Sequence, residues 1–128
     1  MTDVQTPEVV DMSDVAWTDI CSAASLQPER GVAALVDGHP VAVFLVGDGD
    51  IYAVDHIDPL SDTPTMARGI VGSVDGRPTI AAPLLKERYD LATGERVDGD
   101  GPALQPHDAR IREGRVEVRA NVMPKKSS

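Results

Sequence analysis

Residues 82–94 read Ala-Pro-Leu-Leu-Lys-Glu-Arg-Tyr-Asp-Leu-Ala-Thr-Gly. The middle of this segment, residues 88–90, is a short extended piece, and a Thr93-Gly94 turn follows it. Asp and Thr side chains accept hydrogen bonds from nearby backbone, and Gly adopts the positive φ of tight turns. We therefore interpret Asp90, Thr93 and Gly94 as residues that shape a turn.

Upstream of this segment, short apolar runs alternate with Gly-containing turns, a pattern typical of β-hairpins. Residues 32–36, 41–46 and 51–54 predict a three-stranded meander. Extended pieces at 69–72 and 79–81 predict smaller hairpins together with the strand before the Thr-Gly turn.

Downstream, residues 109–112 and 116–119 alternate strictly between apolar and polar around a Glu-Gly turn, which predicts a last hairpin with one wet face. The one modest helical candidate is residues 22–27, where Ser22 is a plausible N-cap and Pro28 a stop. We expect an all-β fold, an antiparallel barrel or sandwich of about ten short strands with at most one or two short helical turns.

The ends of the chain differ from its middle. Residues 1–15 are acidic and lack periodicity, and residues 122–128 are a short basic tail, so we expect two flexible segments around one domain at 16–121. The N-terminus has no basic and apolar leader, and no stretch is long and apolar enough to span a membrane. With one cysteine, this predicts a cytoplasmic protein.

The charge argues against nucleic acid as a partner. The formal net charge is −9 at pH 7, and the Lys and Arg residues are dispersed among acids instead of clustering. Phosphate backbones are bound by clustered bases.

Metal-ligating and nucleophilic residues are scattered. Cys21, His39, His56 and His107 each stand alone in their segments, whereas a structural zinc site needs four such ligands at close spacing. We expect His39 and His107 to be exposed loop histidines and Cys21 a small core residue. A Ser/His/Asp triad built from residues 55–61 lacks a nucleophile elbow.

The quoted segment resembles the second cluster-binding loop of Rieske [2Fe–2S] domains, whose pattern is Cys-Pro-x-His-Gly-x-x-Phe-Asp-x-x-Thr-Gly. The Pro, aromatic, Asp, Thr and Gly positions are kept at residues 83, 89, 90, 93 and 94. Residues 52–60 resemble the strand and first loop, where the family has Cys-x-His. The resemblance covers residues 16–120 and implies a Rieske-like fold.

The ligand positions of that pattern are all replaced. Ile57 and Pro59 stand where the first Cys and His would be, and Ala82 and Leu85 stand where the second pair would be. A Rieske cluster needs two thiolates and two imidazoles. We therefore expect no cluster and no metal in this chain.

The loops also resemble those of a cluster-free branch, the small subunits of assimilatory NAD(P)H-dependent nitrite reductases. The matching blocks are Asp-x-Ile-Asp-Pro-Leu-Ser at 55–61, Arg-Gly-Ile-Val-Gly at 68–72 and Pro-x-x-Lys-x-x-x-Asp-Leu-x-Thr-Gly at 83–94. The resemblance implies a non-catalytic, cofactor-free subunit. Its partner would be a large catalytic subunit that carries siroheme, an iron–sulfur cluster, FAD and the NAD(P)H site and reduces nitrite to ammonia.

On this resemblance we assign roles to individual residues of the two loops. Five apolar residues are expected to pack the loop tips together: Ile57, Pro59, Leu60, Leu84 and Leu85. Asp55 and Asp58 are expected to hold turns through Asx-type bonds. The candidates for contact with a large subunit are Asp58, Leu60, Arg68, Lys86 and Arg88, with solvated charge as the alternative for the basic ones.

Two other functions stay open. One is a Rieske-type ferredoxin component of an oxygenase, against which the missing ligands argue directly. The other is a cluster-free adaptor or binding module on the same fold. The sequence leaves open what the subunit contributes to turnover, its oligomeric state, the preference for NADH or NADPH, and any role for His56.

Overall fold

The computed structural model describes residues 16–47 and 49–121. Within them the chain forms nine strands and two short 3₁₀ turns, so the prediction of an all-β Rieske-like fold with minimal helix is confirmed. The strands are β1 (Thr18–Ser22), β2 (Val32–Val36), β3 (His39–Val46), β4 (Asp50–Asp55), β5 (Ile70–Val74), β6 (Arg77–Ala81), β7 (Arg88–Asp90), β8 (Pro106–Arg112) and β9 (Arg115–Arg119).

The strands make two antiparallel sheets. The larger sheet has the order β1-β9-β8-β4-β3-β2, and the smaller has the order β5-β6-β7. The predicted meander is β2 to β4, the small hairpins are β5 to β7, and the last hairpin is β8 and β9. Strand β8 pairs with β4, so the end of the chain returns to the meander and extends its sheet.

The turn chemistry explains the tight hairpins. Asp75 and Gly76 join β5 to β6 with φ of 52° and 79°, the positive values of a type I′ turn. This turn matches the right-handed twist of the strands that it joins. Asp-Gly is a favoured sequence for it, which is why the hairpin is predictable from the residues alone.

Among the residues that the structure describes, the helical content is confined to two 3₁₀ turns, Ala23–Ser25 and Met66–Arg68. Oγ of Ser22 accepts a hydrogen bond from the Ala24 backbone N–H at 3.2 Å, so the predicted N-cap is present, but the helix is shorter than predicted. None of the helical segments described has the length or the hydropathy that a bilayer crossing demands. The predicted flexible ends, 1–15 and 122–128, lie outside the described residues.

Strand β3 is buried on both faces because its alternating side chains enter two separate clusters. Val41 and Val43 pack with residues of β4 and β9, whereas Ala42 and Phe44 pack with Ile80 and with residues of the smaller sheet. All five side chains are fully buried. Each large one stabilises the fold by roughly 1.5–3 kcal/mol relative to exposure. The cluster that contains Ala42 and Phe44 joins the two sheets and supports the loops described next.

Candidate functional site

Two loops carry the residues that the sequence singles out. The first loop, residues 56–65, leaves β4, and the second loop, residues 82–87, joins β6 to β7. Both start at the ends of strands whose side chains are buried in the core, so the strands fix where each loop begins.

The first loop is closed by its own hydrogen bonds. Oδ1 of Asp58 accepts the backbone N–H of Leu60 at 2.9 Å and that of Ser61 at 3.4 Å. The Asp58 N–H donates to the Thr63 carbonyl at 2.8 Å, and Ile57 pairs with Pro64 in an isolated β-bridge. Asp58 therefore holds the turn, as predicted.

The second loop is a tight turn in which Lys86 has a φ of 66°. The Ala82 N–H donates to the Glu87 carbonyl at 2.8 Å, and the Lys86 N–H donates to the Ala82 carbonyl at 3.0 Å. Backbone bonds within the loop thus hold its shape.

The turn after β7 is also as predicted. Oδ1 of Asp90 accepts the N–H groups of Ala92 and Thr93 at 2.8 and 3.1 Å, and Oγ1 of Thr93 accepts the Glu95 N–H at 3.2 Å. Gly94 has a φ of 80°, and a Cβ at this position would collide with a backbone carbonyl oxygen. These hydrogen bonds and this close approach explain why Asp, Thr and Gly occupy positions 90, 93 and 94.

The residues at the ligand positions do not fit a [2Fe–2S] cluster. Ala82 is a methyl group fully buried in the core, and Leu85 is an alkyl group 57 % exposed to solvent. Ile57 and Pro59 likewise offer neither thiolate nor imidazole. The one cysteine, Cys21, lies on β1 opposite Val116 of β9, in the other sheet from the second loop. A cluster on two irons needs four such ligands between the loops.

The predicted packing of the loop tips is wrong for three of its five residues. Leu60, Leu84 and Leu85 are 43 %, 55 % and 57 % exposed. Their side chains point outward because the backbone bonds described above already close each loop, which leaves no interior for the tips to fill. The loops therefore expose these three leucines to solvent. Clusters of large exposed apolar side chains are uncommon on soluble domains.

Among the predicted contact residues, the basic ones and Leu60 are at the surface. Arg68, Lys86 and Arg88 are all exposed. Arg68 and Lys86 form no ion pair with any residue in the described ranges, and Arg88 lies 4.0 Å from Asp98. Exposed basic groups and exposed leucines thus occur on or next to the same two loops of a chain whose net charge is −9.

Asp58 is not a surface contact residue. It is completely buried, so its placement among the contact candidates is wrong. An Asp in a polar loop suggests exposure, but this carboxylate is buried and interacts with the Glu87 carboxyl group of the second loop. Glu87 of the second loop is also buried, at 2 % exposure, and the sequence reasoning overlooked it. The burial of Glu87 is predictable from the sequence, because residues two apart on a strand face the same side and Tyr89 is a core residue.

His39 and His107 are not exposed loop residues, which corrects the prediction for both. They lie on β3 and β8, and His107 is 7 % exposed. Nε2 of each ring lies 2.7 Å from Oδ1 of Asp55 at the end of β4. Burial acts to raise the pKa of Asp55, but the hydrogen bonds from His107 and His39 outweigh it and hold that pKa below its usual value. Asp55 thus joins three strands instead of forming an Asx turn.

This trio is the cluster of the described residues that comes nearest to a metal site. Its three ligand atoms lie within 4.8 Å of one another, and two His with one carboxylate is a donor set that iron(II) accepts. However, Nδ1 of His107 accepts the backbone N–H of Asn121 at 3.0 Å, so the ring proton is on Nε2. That nitrogen donates to Asp55 and has no lone pair for a metal. The trio is built as a hydrogen-bond network.

His56 has a structural role. Its Nδ1 accepts the backbone N–H of Ala67 at 3.1 Å, and its carbonyl accepts the Met66 N–H at 3.0 Å. Burial, and then the charge of Arg68, lower the pKa of His56 below its usual value. A neutral ring is needed for this bond, because Nδ1 must accept.

A comparison with models of protein families identifies the domain family that contains these loops. The model of the Rieske-like [2Fe-2S] domain family matches residues 16–119. The matched range contains both loops, both sheets and the His39–Asp55–His107 trio.

Similar proteins found in two other comparisons narrow the family assignment further. The nitrite reductase (NADH) small subunit of Escherichia coli K12 is 32 % identical over 104 residues, which cover 80 % of this chain and 96 % of the relative. A crystal structure from Mycobacterium tuberculosis, assigned to the NADH-dependent nitrite reductase small subunits, superposes with a TM-score of 0.79. It is 39 % identical and covers 84 % of this chain and 98 % of that one.

One relative differs in kind. The nitrite reductase [NAD(P)H] large subunit of Klebsiella oxytoca is 30 % identical over 102 residues, which cover 80 % of this chain but 11 % of the relative. A domain like this one is therefore a small part of that much longer chain.

Proposed function

The chain belongs to the Rieske-like [2Fe–2S] domain family and, within it, to the nitrite reductase small subunits, and from this premise we propose that it is the non-catalytic small subunit of an NAD(P)H-dependent nitrite reductase. In this role it binds a large subunit that reduces nitrite to ammonia. The siroheme, iron–sulfur cluster, FAD and NAD(P)H site belong to that large subunit, and the complex is cytoplasmic.

The observation that carries the proposal is the Klebsiella oxytoca relative. There, a domain similar to this chain is covalently part of a large-subunit polypeptide. A domain that is tethered in one protein and separate in another must make its contacts without the tether in the second case. A separate chain therefore needs a surface that holds the large subunit by non-covalent contacts alone.

The chain's own chemistry supports a role in binding. The ligand positions carry alkyl groups, and the described residues include no nucleophile paired with a base in a cleft. Electron transfer through this domain would need a redox group that its loops do not hold. The contribution to turnover is therefore made through contacts, by stabilising or positioning parts of the large subunit.

The docking surface consists of Leu60, Arg68, Leu84, Leu85, Lys86 and Arg88. The three leucines supply exposed apolar area, and the three basic residues, also exposed, supply positive charge on or next to the same loops. Interfaces commonly combine an apolar centre with a charged rim that favours one orientation of the partner. On a chain of net charge −9, this local positive charge selects for an acidic patch on the large subunit.

Co-purification tests the proposal. The full chain is co-expressed with the nitrite reductase large subunit of the same genome, and only the small chain carries an affinity tag. We expect one complex that contains flavin and siroheme and that reduces nitrite with NADH or NADPH. A large subunit that is fully active and never co-elutes would overturn the proposal.

An iron assay separates the proposal from the ferredoxin alternative. The tagged chain purified alone under anaerobic conditions is expected to contain no stoichiometric iron or acid-labile sulfide. Visible bands of a [2Fe–2S] centre together with two irons per chain would establish the ferredoxin alternative instead.

A further inference from the structure

Two buried carboxyl groups meet between the first and second loops. Asp58 is 0 % and Glu87 is 2 % exposed, and their carboxyl groups interact directly, since each shifts the pKa of the other. Oδ2 of Asp58 and Oε1 of Glu87 are buried, and neither accepts a hydrogen bond from an N–H or O–H group of the described residues. Two ionised carboxylates cannot hydrogen bond, since each only accepts. The contact therefore requires a proton.

The remaining oxygens of the pair are already occupied. Oδ1 of Asp58 accepts two backbone N–H groups of the first loop, and Oε2 of Glu87 accepts the hydroxyl of Tyr89 at 2.9 Å. The pair thus belongs to a chain of hydrogen bonds that runs from the first loop through the second loop to β7. Oδ1 of Asp58 and Oε2 of Glu87 are therefore both held in place by hydrogen bonds.

In the part of the chain that the structure describes, no Lys or Arg forms an ion pair with either carboxyl group. The charged and titratable groups that act on it are Tyr89, on β7, and Arg96, which follows that strand. The guanidinium of Arg96 is held by Asp98 at 2.6 Å, and Arg96 forms an ion pair with neither buried carboxyl group. Two buried like charges in contact would be strongly unfavourable, and a shared proton removes one of them.

The surroundings decide which group carries the proton. Burial and the hydrogen bond to Asp58 raise the pKa of Glu87. Burial alone would raise the pKa of Asp58 as well, but hydrogen bonding with Glu87, with the Leu60 backbone, and with the side chain and backbone of Ser61 lowers it. Glu87 is therefore the protonated partner and donates, and Asp58 is the carboxylate that accepts.

We propose that one proton, carried on Glu87 and donated to Asp58, links the two loops that resemble the cluster-binding loops of Rieske proteins. Within residues 16–47 and 49–121, no other hydrogen bond joins the first loop to the second. Because Asp58 also binds the Leu60 N–H, the proton connects the second loop to the tip of the first. This inference does not depend on which partner covers the loops.

The link has a definite pH dependence. Glu87 has a raised pKa in the folded chain, so folding takes up a proton above the ordinary pKa of a glutamic acid, about 4.3. The stabilising contribution is complete below that ordinary value and is lost as the pH rises through the raised folded pKa. Above it, two adjacent buried negative charges push the loops apart.

Side-chain carboxyl NMR of the full ¹³C-labelled chain tests the proposal. We expect the Glu87 carboxyl carbon to titrate above the range of exposed glutamates and the Leu60 and Ser61 amides to shift with the same midpoint. Exposed Glu113, on the β8–β9 turn, is the internal reference. A Glu87 midpoint equal to that of Glu113 would overturn the proposal.

Two variants separate the proton from mere packing. In Glu87→Gln the amide donates to Asp58 and accepts from Tyr89 at every pH, so the Leu60 and Ser61 amides should lose their pH-dependent shift while the fold is kept. Glu113→Gln should leave that shift as in the wild type. If Glu87→Gln retains the wild-type pH dependence of these amides, the proton is not on Glu87 and the proposal fails.

Discussion

Oδ1 of Asp55 accepts a hydrogen bond from Nε2 of His107 across 2.7 Å, although 52 residues separate the two in sequence. The same oxygen lies 2.7 Å from Nε2 of His39, and the opposite nitrogen of the His107 ring accepts the Asn121 backbone N–H. A single carboxylate oxygen thereby joins β3, β4 and β8, and the ring extends the connection to the segment after β9.

Replacing Asp55 by Ala should destabilise the fold by about 1–3 kcal/mol, because the Nε2–H of the buried His107 ring loses its acceptor. Chemical denaturation of the full chain measures the loss. Asp50→Ala is the matched control, since Asp50 lies exposed at the other end of the same strand, and it should change the stability by less than about 0.5 kcal/mol. Equal effects of the two substitutions would show that the trio contributes nothing.

The contribution of Asp55 should disappear in acid. The pKa of Asp55 is lowered in the folded chain, so its stabilisation is present above the ordinary aspartate value of about 3.9 and is lost as the pH falls through the lower folded value. The difference in unfolding free energy between wild type and Asp55→Ala should therefore shrink below about pH 4. A difference that stays constant down to pH 2 would contradict the assigned network.

Gly94→Ala should be much more harmful than Gly114→Ala. The two glycines have nearly equal φ, 80° and 78°, so the conformational cost of a side chain, about 1–3 kcal/mol, is shared. A Cβ at position 94 would also collide with the Leu104 carbonyl, whereas one at position 114 meets no atom within 4 Å. We expect a clearly lower melting temperature for Gly94→Ala than for Gly114→Ala, and equal values would refute the collision.

Charge reversal of the docking surface should weaken the complex. Lys86→Glu combined with Arg88→Glu should lower the affinity for the large subunit by about tenfold or more, with a stronger effect at low salt. Arg112→Glu, at an exposed position of the β8–β9 hairpin without an ion pair among the described residues, should bind as the wild type does. Surface plasmon resonance at two salt concentrations measures both, and unchanged affinity of the double variant would remove these residues from the interface.

Truncation of the exposed leucines tests the apolar part of the same surface. Leu84→Ala with Leu85→Ala should weaken the complex by about 1–3 kcal/mol while leaving the melting temperature of the free chain nearly unchanged, since both side chains are more than half exposed. Leu35→Ala is the control, because Leu35 is 67 % exposed on β2. An identical loss in the control would mean that the effect is not specific to the loops.

The fold was largely predictable because its signals are local. Asp75 with Gly76 specifies a type I′ hairpin, and Asp90 binds the backbone two and three residues ahead, so both structures follow from neighbouring residues. Alternation of apolar and polar residues then placed the last hairpin. Such short-range rules need no knowledge of the tertiary structure.

The candidate site was harder because its contacts are long-range. His107 was predicted to be exposed since its partner, Asp55, lies on a distant strand, and no spacing rule connects the two. Asp58 was placed at the surface because the turn that it holds is polar, whereas its carboxylate is buried and interacts with Glu87 of the second loop. In both cases the missing information is which segments the fold brings together.

The collision that forbids a side chain at Gly94 separates two kinds of information in this chain. The Asp90–Gly94 turn is required by backbone packing against Leu104, and it would be required whether or not a metal were bound nearby. That pattern therefore says nothing about a bound metal, and the residues that bear on cofactor content are those at positions 57, 59, 82 and 85, which the resemblance places where Rieske domains have cluster ligands. A genome survey that counts iron–sulfur proteins by domain membership would assign this chain two iron atoms that its residues cannot hold.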